Sequence, residues 1–235
     1  MAEKNIIDID GITRDVALLL SADKSGHGME HVGRVLALAI AFAQEQGADE
    51  DIVRLAALLH DVDDYKLFGQ KYADDLINAQ SILDKYNVNK QAKTAVLDII
   101  KSMGYNKYLE GIRPQTVEGM IVSDADMCDA IGAMGVLRTH AYALSKGNEF
   151  FDAHISPDNT SMSASEYRAS KKSHSVQHFF DKLLVIPLIL MTESGRKEGH
   201  KRRIIMVQFL RQLFNEENSQ EWLSYLDAFE RTSVK

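Results

Sequence analysis

Cysteine is almost absent. The single Cys128 has no partner for an intramolecular disulfide, so the fold must rest on core burial, and a reducing, cytoplasmic compartment is the expected location. Proline is also scarce, at three residues, and no low-complexity run or internal repeat occurs, which excludes proline-rich linkers and repeat architectures. Long apolar runs are missing. The longest stretches, such as Val16–Leu20 and Leu183–Leu190, are far too short to cross a bilayer, and the N-terminal MAEKNIIDID lacks the apolar centre of a secretory signal. A positive balance is missing too: 27 Lys and Arg against 34 Asp and Glu give a net charge of -7, which argues against broad nucleic-acid affinity. What remains, 45% hydrophobic and 26% charged residues over 235 positions, is enough to bury a substantial core, and one domain over 1–235 is the simplest organisation.

Helical periodicity fills nearly the whole chain. Residues 11–21 and 28–46 carry apolar side chains at three- and four-residue spacing, the second run including Val32, Val35, Leu36, Ala39, Ile40 and Ala43 and stopping at Gly47. Asp49 reads as the N-cap of a helix that runs through Leu58 and Leu59 into His60 and Asp61. Further helices are expected over 73–85, 89–102, 115–123, 125–146, 174–192, 196–215 and 219–230, with Pro187 kinking one of them or dividing it into two pieces. No strand pair stands out, so the expected class is all-α: a compact helical core with additional C-terminal helices over about 165–230. The polar stretch 147–164 reads as a long loop or lid.

Chemistry-bearing residues gather in three separated segments: HGMEHVGRV at 27–35, LLHDVDDYK at 58–66 and SDADMCDAIGA at 123–133. Imidazole and carboxylate together suit a borderline or hard divalent cation, and a mixed N/O set leaves positions for water. The spacing of His60 and Asp61 is awkward, because neighbours on an ideal helix point about 100° apart. They reach one ion only at a helix end or a distorted turn. The alternative is a polar cap, with both side chains satisfying terminal backbone groups.

These segments resemble the HD phosphohydrolase superfamily, whose pattern is His, then His-Asp, then a distant Asp. HGMEHVGRV looks like its first-ligand helix, AALLHDVDDYK like its central segment and SDADMCDAIGAMGVLRT like its last-ligand helix. SVQHFFDKLL and MTESGRKEG resemble the C-terminal part of a small bacterial branch related to nucleotide pyrophosphohydrolases. The resemblance implies His31, His60, Asp61 and Asp126 as metal ligands in a core spanning about 25–146. His27 competes for the first position and otherwise lines the pocket; Asp124 and Asp129 compete with Asp126.

Asp64 falls where related hydrolases carry an acid that orients or deprotonates water, and a solvated helix-end Asp is the other reading. Lys66, Arg138, His178 and Lys182 are candidates for phosphate contact or leaving-group protonation, against the alternative that they pair with carboxylates across helices. Where the family usually has Arg-Leu, this chain has Met127 and Cys128, which removes one phosphate-binding cation. Some members of that superfamily carry extra histidines between the central pair and the last Asp for a second metal; residues 62–125 here contain none, so the resemblance implies one metal ion, with Mn²⁺ first and Mg²⁺, Co²⁺, Ni²⁺, Fe²⁺ or Zn²⁺ as alternatives. The implied activity is hydrolysis of a phosphoester or phosphoanhydride in a small nucleotide, most closely of the nucleoside triphosphate pyrophosphohydrolase type. A monophosphate nucleotidase and a non-catalytic metal- and nucleotide-binding sensor are the alternatives. A homodimer is compatible with the sequence, and the run Arg196–Arg203, with no interleaved aromatic, reads as a solvated helix face.

Overall fold

The computed structural model describes residues 7–23, 26–158 and 175–232, and among them the regular structure is helical, without strands. None of its helices is long and apolar enough to cross a membrane. The chain divides into two compact units, Met1–Tyr108 with Ile112–Ala125, and Leu109–Gly111 with Asp126–Lys235.

The first unit is built around a helix whose C-terminal half is apolar all round. Helices α1 (Ile9–Leu19), α2 (Met29–Gln46) and α3 (Glu50–Leu59) follow one another, and α3 buries Val53, Leu55, Ala56, Ala57, Leu58 and Leu59 against α1, α2 and α7 (Lys90–Ser102). The start of α3 carries the Glu50–Arg54 pair toward solvent, while residues 55–59 are all buried, and truncating Leu58 to alanine there costs about 2–5 kcal/mol. The turn from α2 into α3 is tight. Gly47 closes α2 at φ 66°, a left-handed conformation that glycine adopts without steric cost, and the Asp49 carboxylate accepts from the Asp51 and Ile52 amides to start α3. The hairpin therefore brings the chain back toward the start of α2.

After α3 come the short helices α4 (Tyr65–Phe68) and α5 (Gln70–Asp75), then α6 (Ile77–Lys85), α7 and α8 (Tyr105–Leu109). The single helix expected over 73–85 is broken at Leu76, which is buried and left-handed at φ 51°. Helix α9 (Val117–Asp129) begins in the first unit and ends in the second. The break expected near residue 124 falls instead at Ala130–Ile131, so Asp124 and Asp126 share one continuous helix.

In the second unit, α10 (Gly132–Lys146) packs on the long α12 (Glu193–Glu216), which also receives the short α11 (Ile186–Ile189) and α13 (Gln220–Thr232). An aromatic cluster fills the centre. Trp222 has Phe151, Phe180, Phe214 and Tyr225 around it, and its indole N–H donates to the Ile155 carbonyl at 2.8 Å, which ties the segment after α10 to α13. Pro187 does divide the expected 174–192 helix: it sits in the first turn of α11, where its missing N–H is harmless, and the piece before it, Phe179–Leu183, is wound as a π-helix. Residues 159–174, which include the end of the expected lid and the first part of the C-terminal helical region, lie outside the described residues.

Candidate metal centre

His60 is the C-cap of α3, and Asp61 follows in a turn closed by Val62 N–H to Leu59 O and Asp64 N–H to Asp61 O. This departure from the helix resolves the 100° difficulty, because neither side chain is held to α-helical direction on both sides. The turn is anchored from below by a residue that the sequence reading passed over. Asp63 is buried and its carboxylate accepts from the Asn78 and Ala79 amides at 2.8 and 2.9 Å, while the Asn78 side chain donates to Val62 O at 2.7 Å. Burial pushes the Asp63 carboxyl up, and the two amide bonds offset only part of that rise. Its signal was available: a carboxylate just past an apolar helix end, fifteen residues before the first free amides of the next helix.

On the other side, the Asp23 carboxylate accepts from the Gly26 and His27 amides at 3.1 and 2.7 Å, fixing the approach to α2, whose first turn carries His31. His31 and His60 side chains are each 3% exposed and Asp61 13%. Their donor atoms converge. His31 Nε2 and His60 Nε2 lie 3.0 Å apart, and Asp61 Oδ2 lies 3.3 Å from the first and 3.4 Å from the second. Donors about 2.1 Å from a shared cation stand about 3.0 Å apart at right angles and about 3.4 Å apart at tetrahedral angles. The three edges fall in that range, so the residues present fit a divalent ion.

The protonation pattern agrees. His60 Nδ1 is 2.8 Å from the Ala57 carbonyl, which can only accept, so the ring proton sits on Nδ1 and the Nε2 lone pair faces the cluster. Two imidazole Nε2 atoms at 3.0 Å cannot both be satisfied as acceptors of each other, but both can serve one cation. His27 joins through Nδ1, 2.8 Å from Asp61 Oδ2, and His27, His31 and Asp61 form one set able to hold a metal. Burial works to raise the Asp61 carboxyl, yet the imidazoles of His60, His27 and His31 around it outweigh that and hold the group well below the usual carboxylate range.

The remaining candidates are distributed as follows. Asp64 caps α4, its carboxylate accepting from the Lys66 amide at 2.8 Å. Lys66 is exposed, its ammonium 5.7 Å from the Tyr65 ring centre. Asp124 is buried on α9 in the first unit, while Asp126 stands on the same helix in the second. In that unit Arg138 reaches the buried Asp129 at 3.4 Å. His178 precedes the π-helix that contains Lys182; burial, and then the Lys182 charge, push its imidazole down to about 3.

The basic run does not behave as one solvated face. Lys197 and Lys201 are exposed and pair with Glu193 and Glu198. Arg202 turns inward, donating to Glu198 at 2.7 Å and to the Cys128 carbonyl at 2.8 Å. Arg203 buries its Nε and Nη2 with no acceptor among the described residues. The sequence spacing held this information, since Gly199, Arg203, Met206 and Leu210 fall on one stripe.

Comparison with known proteins agrees with the motif. Residues 28–131 match the model of the HD domain. The YpgQ protein of Bacillus subtilis is 32% identical over 215 residues, covering 89% of this chain and 94% of its own length; its structure in complex with ADP superposes with a TM-score of 0.66 at 28% identity, over 88% of this chain and 97% of that one. A solved protein of Lactobacillus plantarum gives a TM-score of 0.76 at 31% identity, and an HD-superfamily hydrolase of Bacillus thuringiensis 0.70 at 31%, each covering 90% of this chain and 97% of its own. Likeness along nearly the full length, to relatives of this identity, makes the chain a member of the HD-domain family.

Proposed function

We propose that this protein is a metal-dependent phosphohydrolase that cuts a phosphoanhydride or phosphoester bond in a small nucleotide, with a nucleoside triphosphate as the favoured substrate. The observation that carries the reading is the convergence of His31 Nε2, His60 Nε2 and Asp61 Oδ2 within 3.4 Å of one another. The ADP complex of the related YpgQ supports a nucleotide as ligand.

In this reading His31, His60 and Asp61 hold one divalent cation, preferably Mn²⁺, and Asp126 is assigned as the fourth ligand from its place in the family motif. A cation in such a site supplies Lewis-acid activation of water and of a phosphoryl oxygen. The chain's own residues do the rest. The Ala57 carbonyl keeps the His60 lone pair on Nε2, and His27 orients the Asp61 carboxylate. Asp64 is assigned to orient the attacking water and Lys66 to neutralise phosphate charge, while Arg138, His178 and Lys182 are assigned to the substrate side. His178, held neutral at pH 7, is able to accept a hydrogen bond there. The whole of 1–235 is taken as one functional HD-type hydrolase.

The test is a nucleotide panel on metal-depleted protein reloaded with Mn²⁺, Mg²⁺, Co²⁺ or Ni²⁺, with separate readout of phosphate and pyrophosphate. Pyrophosphate release from triphosphates is the expected result. Metal-dependent ADP binding with no inorganic product from any nucleotide would replace this reading with a sensor role.

A further inference from the structure

The first unit carries a cavity of about 820 Å³ that the metal centre does not use, a size within the roughly 300–1,000 Å³ of small-molecule sites. One wall is a stripe of α7 on which Lys90, Thr94, Asp98 and Ser102 recur every four residues; the other is the segment 113–116, and the buried Ile99 and Pro114 supply apolar lining. The cavity lies away from the histidines. Glu118, two residues beyond that segment, accepts from the Asp49 amide at 3.2 Å; Asp49 starts α3, whereas His60 ends it, about 15 Å along the axis.

Both walls are held in place. The Gly119 amide donates to Thr116 Oγ1 at 3.1 Å, and a β-carbon on Gly119 would stand 2.8 Å from Pro114 and 3.2 Å from Ile99, so glycine is what lets the segment lie this close to α7. Arg113 is fixed as well. Its guanidinium carbon lies 3.8 Å from the centre of the Tyr108 ring, its Nη1 donates to the Tyr108 carbonyl at 3.3 Å, and Tyr108 is stacked on the buried Tyr105 with ring centres 5.7 Å apart. Arg113 lines the cavity and Tyr108 does not, so the aromatic ring backs the guanidinium from behind. A guanidinium held against one ring offers its other face to a second planar group, with little rotamer freedom left to lose on binding.

The charged groups of the lining come in a fixed order. Lys90 is the first residue of α7, exposed and without an ionic partner among the described residues, and the positive end of the helix dipole adds to its field. Asp98, exposed and likewise without an ionic partner among the described residues, follows about 12 Å along the axis. Arg113 stands at the far end, because its neighbour Pro114 meets Ile99, three residues before the end of α7, around Gly119. Phosphate, hydroxyl-bearing ribose and planar base follow one another in a nucleotide in the same order. An ammonium suits the phosphate, a carboxylate accepts from ribose hydroxyls while repelling an anion from the middle of the groove, and a guanidinium plane stacks a base.

We propose that this cavity is a ribonucleotide-binding site separate from the metal centre, with the phosphate at Lys90, the ribose at Asp98 and the base on the open face of Arg113. The assignment does not depend on the phosphohydrolase reading.

The experiment titrates full-length, metal-free protein with ADP in a calorimeter. Wild type is expected to bind ADP, and to bind ribose 5-phosphate, which lacks the ring, and adenosine, which lacks the charge, at least about tenfold more weakly. Arg113→Ala should bind ADP at least about tenfold more weakly, and Lys90→Ala about three- to tenfold more weakly. Lys90 is exposed, so its variant keeps the test valid if Arg113→Ala fails to fold, which thermal denaturation would reveal. Loss of both ribose hydroxyls, in 2′,3′-dideoxyADP, should weaken binding to wild type by about three- to tenfold and make no difference to Asp98→Ala. The proposal is overturned by an absence of ADP binding to metal-free wild type, by undiminished ADP binding in Lys90→Ala or in folded Arg113→Ala, or by a dideoxy penalty that Asp98→Ala leaves in place. Neither metal nor turnover enters these titrations, so wild-type hydrolysis by Asp61→Ala, which would sink the phosphohydrolase reading, leaves their outcome untouched.

Discussion

Asp61 in the first unit and His178 in the second are both shielded from solvent, and both are held below their ordinary pKa values. The shared direction has opposite meanings. For Asp61 burial is overcome by the imidazoles around it, so the group stays charged; for His178 burial comes first and the Lys182 ammonium adds to it, so the group stays neutral. The first unit thus collects a carboxylate and nitrogen lone pairs in one place, the surroundings a cation requires. The second keeps an imidazole neutral under the charge of Lys182.

Removing the negative centre should break the contrast most severely. Asp61→Ala is expected to lower metal content and to reduce turnover by at least about a thousandfold, with the far-ultraviolet circular dichroism of the wild type. Full activity after complete metal removal and repletion would end the metal-centred account. Next in size is Asp63→Ala, which leaves the Asn78 and Ala79 amides without their acceptor and should destabilise the protein by about 2–3 kcal/mol in urea denaturation. A change within error would show that water replaces the carboxylate and that the turn does not depend on it.

The pH response sharpens the other side. Folded His178 takes up a proton only near about 3, whereas in the unfolded chain it does so near about 6.5. Between those values the unfolded chain binds more protons, so the contribution of His178 to stability is complete above about pH 6.5 and is lost as the pH falls toward 3. His178→Asn should therefore reduce the stability lost between pH 7 and pH 4 by about 1–3 kcal/mol. An unchanged pH slope would mean that the imidazole is not held neutral by its surroundings. The smallest effect is expected for Asp64→Ala, a cap worth about 0.5–1 kcal/mol; if Asp64 also orients water, turnover falls while metal content holds, and if it only caps α4, turnover follows stability alone.

Much of this was legible in the sequence, because the signals were local. Apolar spacing located α2, α3, α7 and α12 to within a few residues, and the glycine at 47 and the aspartate at 49 marked the hairpin between α2 and α3. The HD motif placed the domain, and His31, His60 and Asp61 were named from it before their donor atoms could be seen together. What escaped depended on tertiary packing. The left-handed Leu76 is tolerated because the residue is buried, a cost that no propensity reveals, and the π-helix before Pro187 has no local spacing of its own. Arg202 and Arg203 looked like their exposed neighbours because composition does not record which side of a helix is covered. Asp63 was hidden by more conspicuous residues on either side.

The bond from His60 Nδ1 to the Ala57 carbonyl gives the last turn of α3 a further part to play in the protein's motions. That carbonyl holds the imidazole only while the helical turn is formed, and the turn lies against Leu58 and Leu59, both shielded in the core. Fraying of α3 at this end would have to lift those leucines as well, so local opening that scatters the imidazoles is coupled to a large share of the unit's cooperative unfolding. Amide hydrogen exchange in this turn should accordingly be among the slowest in the first unit, and the histidine arrangement should persist for as long as the core around it stays closed.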